Sequence, residues 1–202
     1  MTHAESFGIA AEAFINLVAR IEPVQWPDPG LGVWSVRDLV GHTSRAVLTV
    51  ETYLAAEPAK VLNVPDAETY YSEIMGRYTD NDAIAERGVI AGENLGPNPV
   101  ATITAMVVRA SAAAAAESPA RLVAVGPLGI PLEQYLRTRV FELVVHSLDI
   151  SRATGLDHRF PDSVVADTAA LAARVAVRKG YGDDVLEALT GRGRLPEGFS
   201  IL

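Results

Sequence analysis

Residues 135–149 read YLRTRVFELVVHSLD, and this stretch decides the fold. It contains no proline or glycine, so it predicts a helix, which we expect to run from about residue 131 to residue 154. Its apolar residues spread around most of the helix surface, which is typical of a buried helix. Ionisable side chains nevertheless recur along one stripe of this helix, at steps of four and three residues: Tyr135, Arg139, Glu142, His146 and Asp149. Because burying unpaired charge is costly, these groups must pair with one another or bind a ligand.

Three other stretches also have apolar residues at helical spacing, at about residues 5–21, 36–55 and 99–117. Ser35 and Asp38 resemble a capping box at the start of the second stretch, although aspartate replaces the usual glutamate or glutamine. Together with the helix at 131–154, these stretches predict an all-α fold built on a four-helix bundle.

The remaining segments predict smaller elements. Residues 57–98 suggest a long connection that contains short helical pieces at about 68–78 and 81–93. A short hairpin is expected before the helix at 131–154, with its turn at Gly126 and Pro127. Two helices are expected at 162–179 and 183–190. We therefore expect a single domain over residues 1–202, with a short C-terminal helical extension at about 156–202.

Composition narrows the class of function. The formal net charge of −8 and the pI near 5.0 argue against a nucleic-acid or anionic-membrane partner, since both need a basic face. The chain has no cysteine, so a disulfide, a cysteine zinc site and a protein thiolate are all excluded, and thiol chemistry would need an external thiol. The N-terminus has no basic region before an apolar core, and no run of about 18 uncharged apolar residues exists. We expect a cytoplasmic protein.

Glu142 and His146 are the strongest candidates for chemistry. Their spacing of four residues places both side chains on one helix face, where imidazole and carboxylate suit zinc, iron or nickel. A third ligand must come from another helix, and His42 is the best candidate because His3 lies near the terminus and His158 in a loop. The alternative is purely structural: Glu142 pairs with a neighbouring arginine, His146 with a neighbouring aspartate, and His42 is an ordinary core histidine.

Three charged residues near these candidates are expected to support them. Asp149 is placed to orient His146, and Asp38, one turn before His42, to orient that imidazole. Arg139 is placed to hold either Glu142 or a substrate carboxylate. Each of these pairs is equally well explained as an ordinary helix contact between residues three or four apart. Three aromatic residues near these candidates are expected either to line a pocket or to be part of the core: Trp34, Tyr53 and Tyr135.

Two motifs together carry a resemblance to a known family. WSVRDLVGHTSRA at 34–46, followed by RTRVFELVVHSLDISRATG at 137–155, resembles the mycothiol-dependent maleylpyruvate isomerase family, part of the wider DinB-like group of metal-binding helical bundles. The ending LTGRGRLPEGFSIL is also similar to endings of small actinobacterial members. The resemblance implies that one histidine of the first motif and the glutamate and histidine of the second bind the metal. In this chain these are His42, Glu142 and His146.

The resemblance also implies a function. We expect a zinc-dependent transferase or isomerase that uses a low-molecular-weight thiol such as mycothiol and acts on a small electrophilic substrate. The isomerase itself has an additional C-terminal domain, whereas this chain offers only residues 156–202 there. Alternatives are metal-activated hydrolysis, a non-catalytic metal-containing binding or regulatory bundle, and a metal-free bundle in which Glu142 pairs with Arg139. A homodimer is compatible with an apolar face on the third or C-terminal helix.

Overall fold

A computed structural model of the chain describes residues 1–74 and 80–201, and within these residues the protein is mostly helical. The helices and strands occur in the following order: α1 His3–Val18, α2 Val36–Ala55, α3 Ala67–Thr69, α4 Asn81–Asn94, α5 Pro99–Ala116, β1 Leu122–Val125, β2 Leu128–Pro131, α6 Leu132–Thr154, α7 Asp162–Arg178 and α8 Gly182–Leu189. A 3₁₀ turn covers Pro23–Gln25, and α3 continues as a π-helical turn over Tyr70–Ile74.

Four of these helices form the predicted bundle. α1 packs against α5 and α6, and α2 packs against the same two helices, so that the four enclose one apolar core. Its largest fully buried side chains include Phe7, Phe14, Leu39, Ile103 and Leu143, which come from all four helices. The all-α, DinB-like fold class expected from the sequence is therefore confirmed.

Local signals placed most helix boundaries correctly. α2 begins at the capping box, in which Ser35 Oγ accepts from the backbone N–H of Asp38 and the Asp38 carboxylate accepts from the backbone N–H of Ser35. α6 ends at Gly155, whose φ of 68° is the left-handed conformation that glycine adopts most easily. The hairpin is also as expected, with β1 and β2 antiparallel and Val125 paired with Leu128 across the turn.

The segment 57–98 is more than the connection that the sequence suggested. α4 packs directly along α2, and glycines make the close approach possible. A Cβ on Gly41 would lie 2.2 Å from the backbone nitrogen of Gly92, and a Cβ on Gly88 would lie 2.5 Å from the indole ring of Trp34. α4 is thus a fifth helix docked on the bundle, and it packs against α2 and against Trp34, which precedes α2.

The C-terminal helices attach through α3 and α6. α7 contacts α3 and α6, and α8 contacts α7. Glu68 of α3 is buried and pairs with Arg137 of α6, with a nitrogen–oxygen distance of 2.8 Å. Of the helical piece expected at 68–78, residues 75–78 lie outside the described residues.

Among the described helices, α5 is long and apolar enough to span a membrane when length and composition alone are considered, with a mean hydropathy of 1.4. In the bundle, α5 turns one face inward, and the buried residues of that face are Ile103, Val107, Ala110 and Ala114. Its opposite face is exposed.

Candidate metal centre

Three donor groups converge where α2 and α6 cross. Each of His42, Glu142 and His146 offers one ligand atom, and the three atoms lie within 4.8 Å of one another. α2 supplies the first residue, and α6 supplies the other two from adjacent turns of one face. The structure therefore brings together the three residues that the sequence singled out.

Two carboxylates hold the His146 ring. Its Nε2 lies 3.3 Å from Glu142 Oε2, and its Nδ1 lies 3.2 Å from Asp149 Oδ2. Burial lowers the pKa of His146, but the bonds to Asp149 and Glu142 outweigh burial, so its pKa is raised. Asp149 also accepts from Arg152 Nη1 at 3.0 Å. The expected orienting contact of Asp149 with His146 is present.

Glu142 receives a hydrogen bond that the sequence did not lead us to expect. The hydroxyl of Tyr71 donates to Glu142 Oε1 at 2.8 Å and also lies 3.0 Å from the backbone oxygen of Thr138. Burial, followed by the charge of Glu142, raises the pKa of Tyr71 well above its usual value, so this hydroxyl keeps its proton and remains a donor. Tyr71 lies in the π-helical turn after α3, and a local sequence pattern gives no signal for such a turn.

Opposing effects act on the ionisation of Glu142. Burial alone would raise its pKa, but the hydrogen bond with His146 and the charge of Arg139 outweigh burial, with a further contribution from Tyr71. The pKa of Glu142 is consequently lowered, and the group is a carboxylate at neutral pH. One of its oxygens is engaged by Tyr71 and the other faces His146.

His42 is held by rings rather than by hydrogen bonds. Its imidazole stacks on Trp34, with ring centroids 4.4 Å apart and planes inclined by 30°, and meets His146 edge to face at 4.9 Å. Trp34 is itself fixed by α4, because its Nε1 donates to the backbone oxygen of Ala85 at 2.9 Å. Burial, together with the charge of His146, lowers the pKa of His42 to about 4, so the ring is neutral at pH 7.

The expected contact between Asp38 and His42 is not found. Asp38 Oδ2 accepts instead from the backbone N–H and the hydroxyl of Ser35, which serves to cap α2. His42 Nδ1 is buried and has no hydrogen-bond partner within residues 1–74 and 80–201. A neutral imidazole with an unpartnered nitrogen is suited to ligate a metal ion.

The metal-free alternative predicts an ion pair between Arg139 and Glu142, but no nitrogen of Arg139 lies within 4.0 Å of a carboxylate oxygen of Glu142. Its guanidinium lies over the ring of Tyr135, 4.9 Å from the centroid, and Nε donates to Thr138 Oγ1 at 3.1 Å. Tyr135 is buried, lies 5.8 Å from the ring of Tyr53, and its hydroxyl donates to Thr49 Oγ1 at 2.8 Å. These aromatic residues are packed parts of the interface between α2 and α6.

The donor set fits a divalent metal ion. Metal–ligand bonds of about 2.1 Å at tetrahedral angles place donor atoms about 3.4 Å apart. The Glu142 and His146 atoms, at 3.3 Å, already match this separation, and the ligand atom of His42 lies within 4.8 Å of both. Two imidazoles and one carboxylate form a set that transition metals, zinc above all, bind readily.

Comparison with known proteins supports the same assignment. The sequence model of the mycothiol maleylpyruvate isomerase N-terminal domain matches residues 7–151, which cover all but the first turn of α1 and the last residues of α6 and include all three donors. The chain belongs to this family. Searches of curated proteins and of solved structures found no match. The resemblance read from the two sequence motifs is thus confirmed at the level of the family, and α7 and α8 lie beyond the matched region.

Proposed function

We propose that the protein is a metal-dependent, thiol-dependent transferase or isomerase, in which His42, Glu142 and His146 hold one divalent ion, most suitably zinc. The observation that carries this proposal is the convergence of the three donor atoms within 4.8 Å. Family membership supports it, because the family is named for an isomerase that depends on mycothiol.

The number of donors favours catalysis over a structural role. A structural zinc site is closed by four protein ligands, whereas a catalytic site keeps at least one position open. In the part of the chain that the structure describes, no fourth histidine, cysteine, aspartate or glutamate joins the cluster. When bound there, the metal would supply an open, electron-withdrawing position that favours the thiolate form of a small thiol. The absence of cysteine is consistent with a thiol from outside the chain.

The surrounding residues would position the three ligands. Asp149 would accept a hydrogen bond from the Nδ1–H group of His146 and so direct Nε2 toward the centre, which is the usual carboxylate–histidine arrangement of metal sites. Tyr71 holds one oxygen of Glu142 and leaves the other available. Trp34 covers one face of His42 and limits the rotation of the ring. Each ligand would therefore be pre-oriented by a buried or half-buried neighbour.

The protein would be tested first for metal content, by mass spectrometry on untagged protein after reconstitution with zinc near pH 7.5. We expect about one equivalent in the wild type, and loss of that equivalent in His42→Ala and His146→Ala. His3→Ala is the matched control, because His3 lies at the start of α1 outside the cluster. Absence of metal in the reconstituted wild type would refute the proposal.

The thiol part needs its own test. Cobalt-substituted protein should develop a sulfur-to-cobalt charge-transfer absorption when a small thiol is added, because the thiolate would occupy the open position. If cobalt binds at the three residues but added thiols leave the spectrum unchanged, the site would be a metal-containing binding module instead.

A further inference from the structure

Among residues 1–74 and 80–201, two arginines near the candidate metal centre form no ion pair with a carboxylate. Within these residues Arg45 makes no side-chain hydrogen bond, and Arg139 donates to Thr138 alone and lies against aromatic rings. Other arginines of α6 are paired: Arg137 with Glu68 at 2.8 Å, and Arg152 with an aspartate at 3.0 Å. Arg45 and Arg139 therefore differ from the neighbouring arginines of α6, which have carboxylate partners.

Contacts on either side place Arg45 and Arg139 in one layer between α2 and α6. The Thr49–Tyr135 hydrogen bond joins the two helices on one side of this layer, and the ring contact between His42 and His146 joins them on the other. Arg45 lies between Thr49 and His42 along α2. Arg139 lies between Tyr135 and His146 along α6. Arg45 and Arg139 therefore lie at the same level of the α2–α6 interface, one helical turn from His42 and from Glu142 respectively.

Arginine side chains outnumber carboxylates in this layer, where, of the described residues, Glu142 alone acts as a countercharge to Arg139. Burial lowers the pKa of Arg45, and the nearby charges of Arg87 and Arg139 lower it further. Glu142, whose charge acts on Arg139, is also engaged by His146 and Tyr71. Residues 75–79 contain no acidic side chain by sequence. In a protein of net charge −8, a half-buried Arg45 with no carboxylate partner among the described residues, next to Arg139, indicates a place for an anionic ligand.

We propose that Arg45 and Arg139 form a carboxylate-binding subsite, which holds a carboxylate of a reactant while its reacting group lies at the metal centre. The planar edge of each guanidinium matches the two oxygens of a carboxylate. The stack on Tyr135 restricts Arg139 to a few orientations, which makes it a prepared contact. The inference rests on the proposed function for the role of the bound anion, but the binding itself needs no metal.

The first experiment uses metal-free protein and malonate as the probe. Isothermal titration should show saturable binding of malonate to the wild type. Affinity should fall about tenfold or more in Arg45→Met and in Arg139→Met, because each removes a charged hydrogen-bond donor. Arg192→Met is the control, since Arg192 is exposed and lies in the C-terminal tail. Lysine at either position keeps the charge and should restore part of the affinity.

A second experiment uses zinc-loaded protein and two matched thiols, 3-mercaptopropionate and its uncharged amide. The carboxylate thiol should bind about tenfold or more tightly than the amide, and this preference should shrink in both arginine variants. The variants separate an arginine contact from direct chelation of zinc by the carboxylate, which they would leave unchanged. Simultaneous binding of malonate and 2-mercaptoethanol would assign the carboxylate to the second reactant, and mutual exclusion would assign it to the thiol.

The outcomes separate this inference from the proposed function. If wild-type protein binds zinc and thiols but neither binds malonate nor prefers the carboxylate thiol, the subsite is refuted and the proposed function stands. If the protein binds no zinc but binds malonate through the two arginines, the proposed function fails and the anion site remains. A preference that survives in folded Arg45→Met and Arg139→Met proteins would also overturn the inference.

Discussion

Replacing Tyr71 by phenylalanine removes one hydroxyl and tests how the bundle holds Glu142. The hydroxyl is buried and lies 2.8 Å from the carboxylate, so water cannot easily take its place in the variant. A hydrogen bond to a charged group contributes about 1.5–3 kcal/mol. We expect the free energy of unfolding of metal-free protein to fall by about that amount. For a chain of this length, this corresponds to a decrease in Tm of about 3–12 °C.

The same substitution should weaken metal binding. Loss of a hydrogen bond to a metal-ligating group typically lowers metal affinity about 10–100-fold. Urea unfolding followed by circular dichroism measures stability, and competition with a chromophoric chelator measures zinc affinity. Tyr70→Phe is the matched control, since no hydrogen bond of the Tyr70 hydroxyl occurs within the described residues. If both variants match the wild type in both assays, Tyr71 does not position Glu142 and the reasoning is wrong.

Three further predictions concern charge, packing and orientation. Hydrogen bonds from Arg137 outweigh burial and lower the pKa of Glu68. The ion pair therefore stabilises the fold above pH 4.5, and this stabilisation is lost as the pH falls through the lowered pKa. In the Glu68→Gln variant, the free energy of unfolding should depend less on pH in the acid range. Gly41→Ala should destabilise the protein by about 1–3 kcal/mol in urea, because its Cβ would overlap the α4 backbone. Gly8→Ala, a helical glycine with open space around it, should stabilise by about 0.5–1 kcal/mol; equal effects of the two alanines would contradict this packing. Asp149→Asn should lower zinc affinity about 10–100-fold by chelator competition, and unchanged affinity would show that its bond to the imidazole is dispensable.

The sequence predicted those parts of the fold that depend on local pattern. Apolar spacing and the absence of proline and glycine located α2, α5 and α6 to within about one residue, because burial of one helix face is encoded within the helix itself. The steps of four and three residues along α6 placed Glu142 and His146 on one face. His42 was the best third candidate among the four histidines, the family resemblance pointed to the same residue, and the described geometry brings it to that face.

The features that were missed depend on contacts between distant segments. Tyr71 reaches Glu142 from a π-helical turn, and no periodic pattern in residues 57–98 indicates which side chain that turn presents. The docking of α4 was missed because a helix of low amphipathicity gives no sign of its partner. In retrospect, the four-residue spacing of Gly88 and Gly92 was the available signal, since small residues at that spacing permit close helix contact. Asp38 was expected both to cap α2 and to orient His42, and only the capping contact is found, because a capping carboxylate that accepts from Ser35 points away from the imidazole one turn later.

The stack of Trp34 on His42 has a spectroscopic consequence. The chain has two tryptophans, so Trp26→Phe would leave Trp34 as the single indole emitter, 4.4 Å from the imidazole ring. A paramagnetic ion such as cobalt or copper at the three donors would lie close enough to quench that emission strongly, whereas diamagnetic zinc would leave most of it. The intrinsic fluorescence of the protein therefore provides a label-free signal of which metal occupies the centre, and when it arrives.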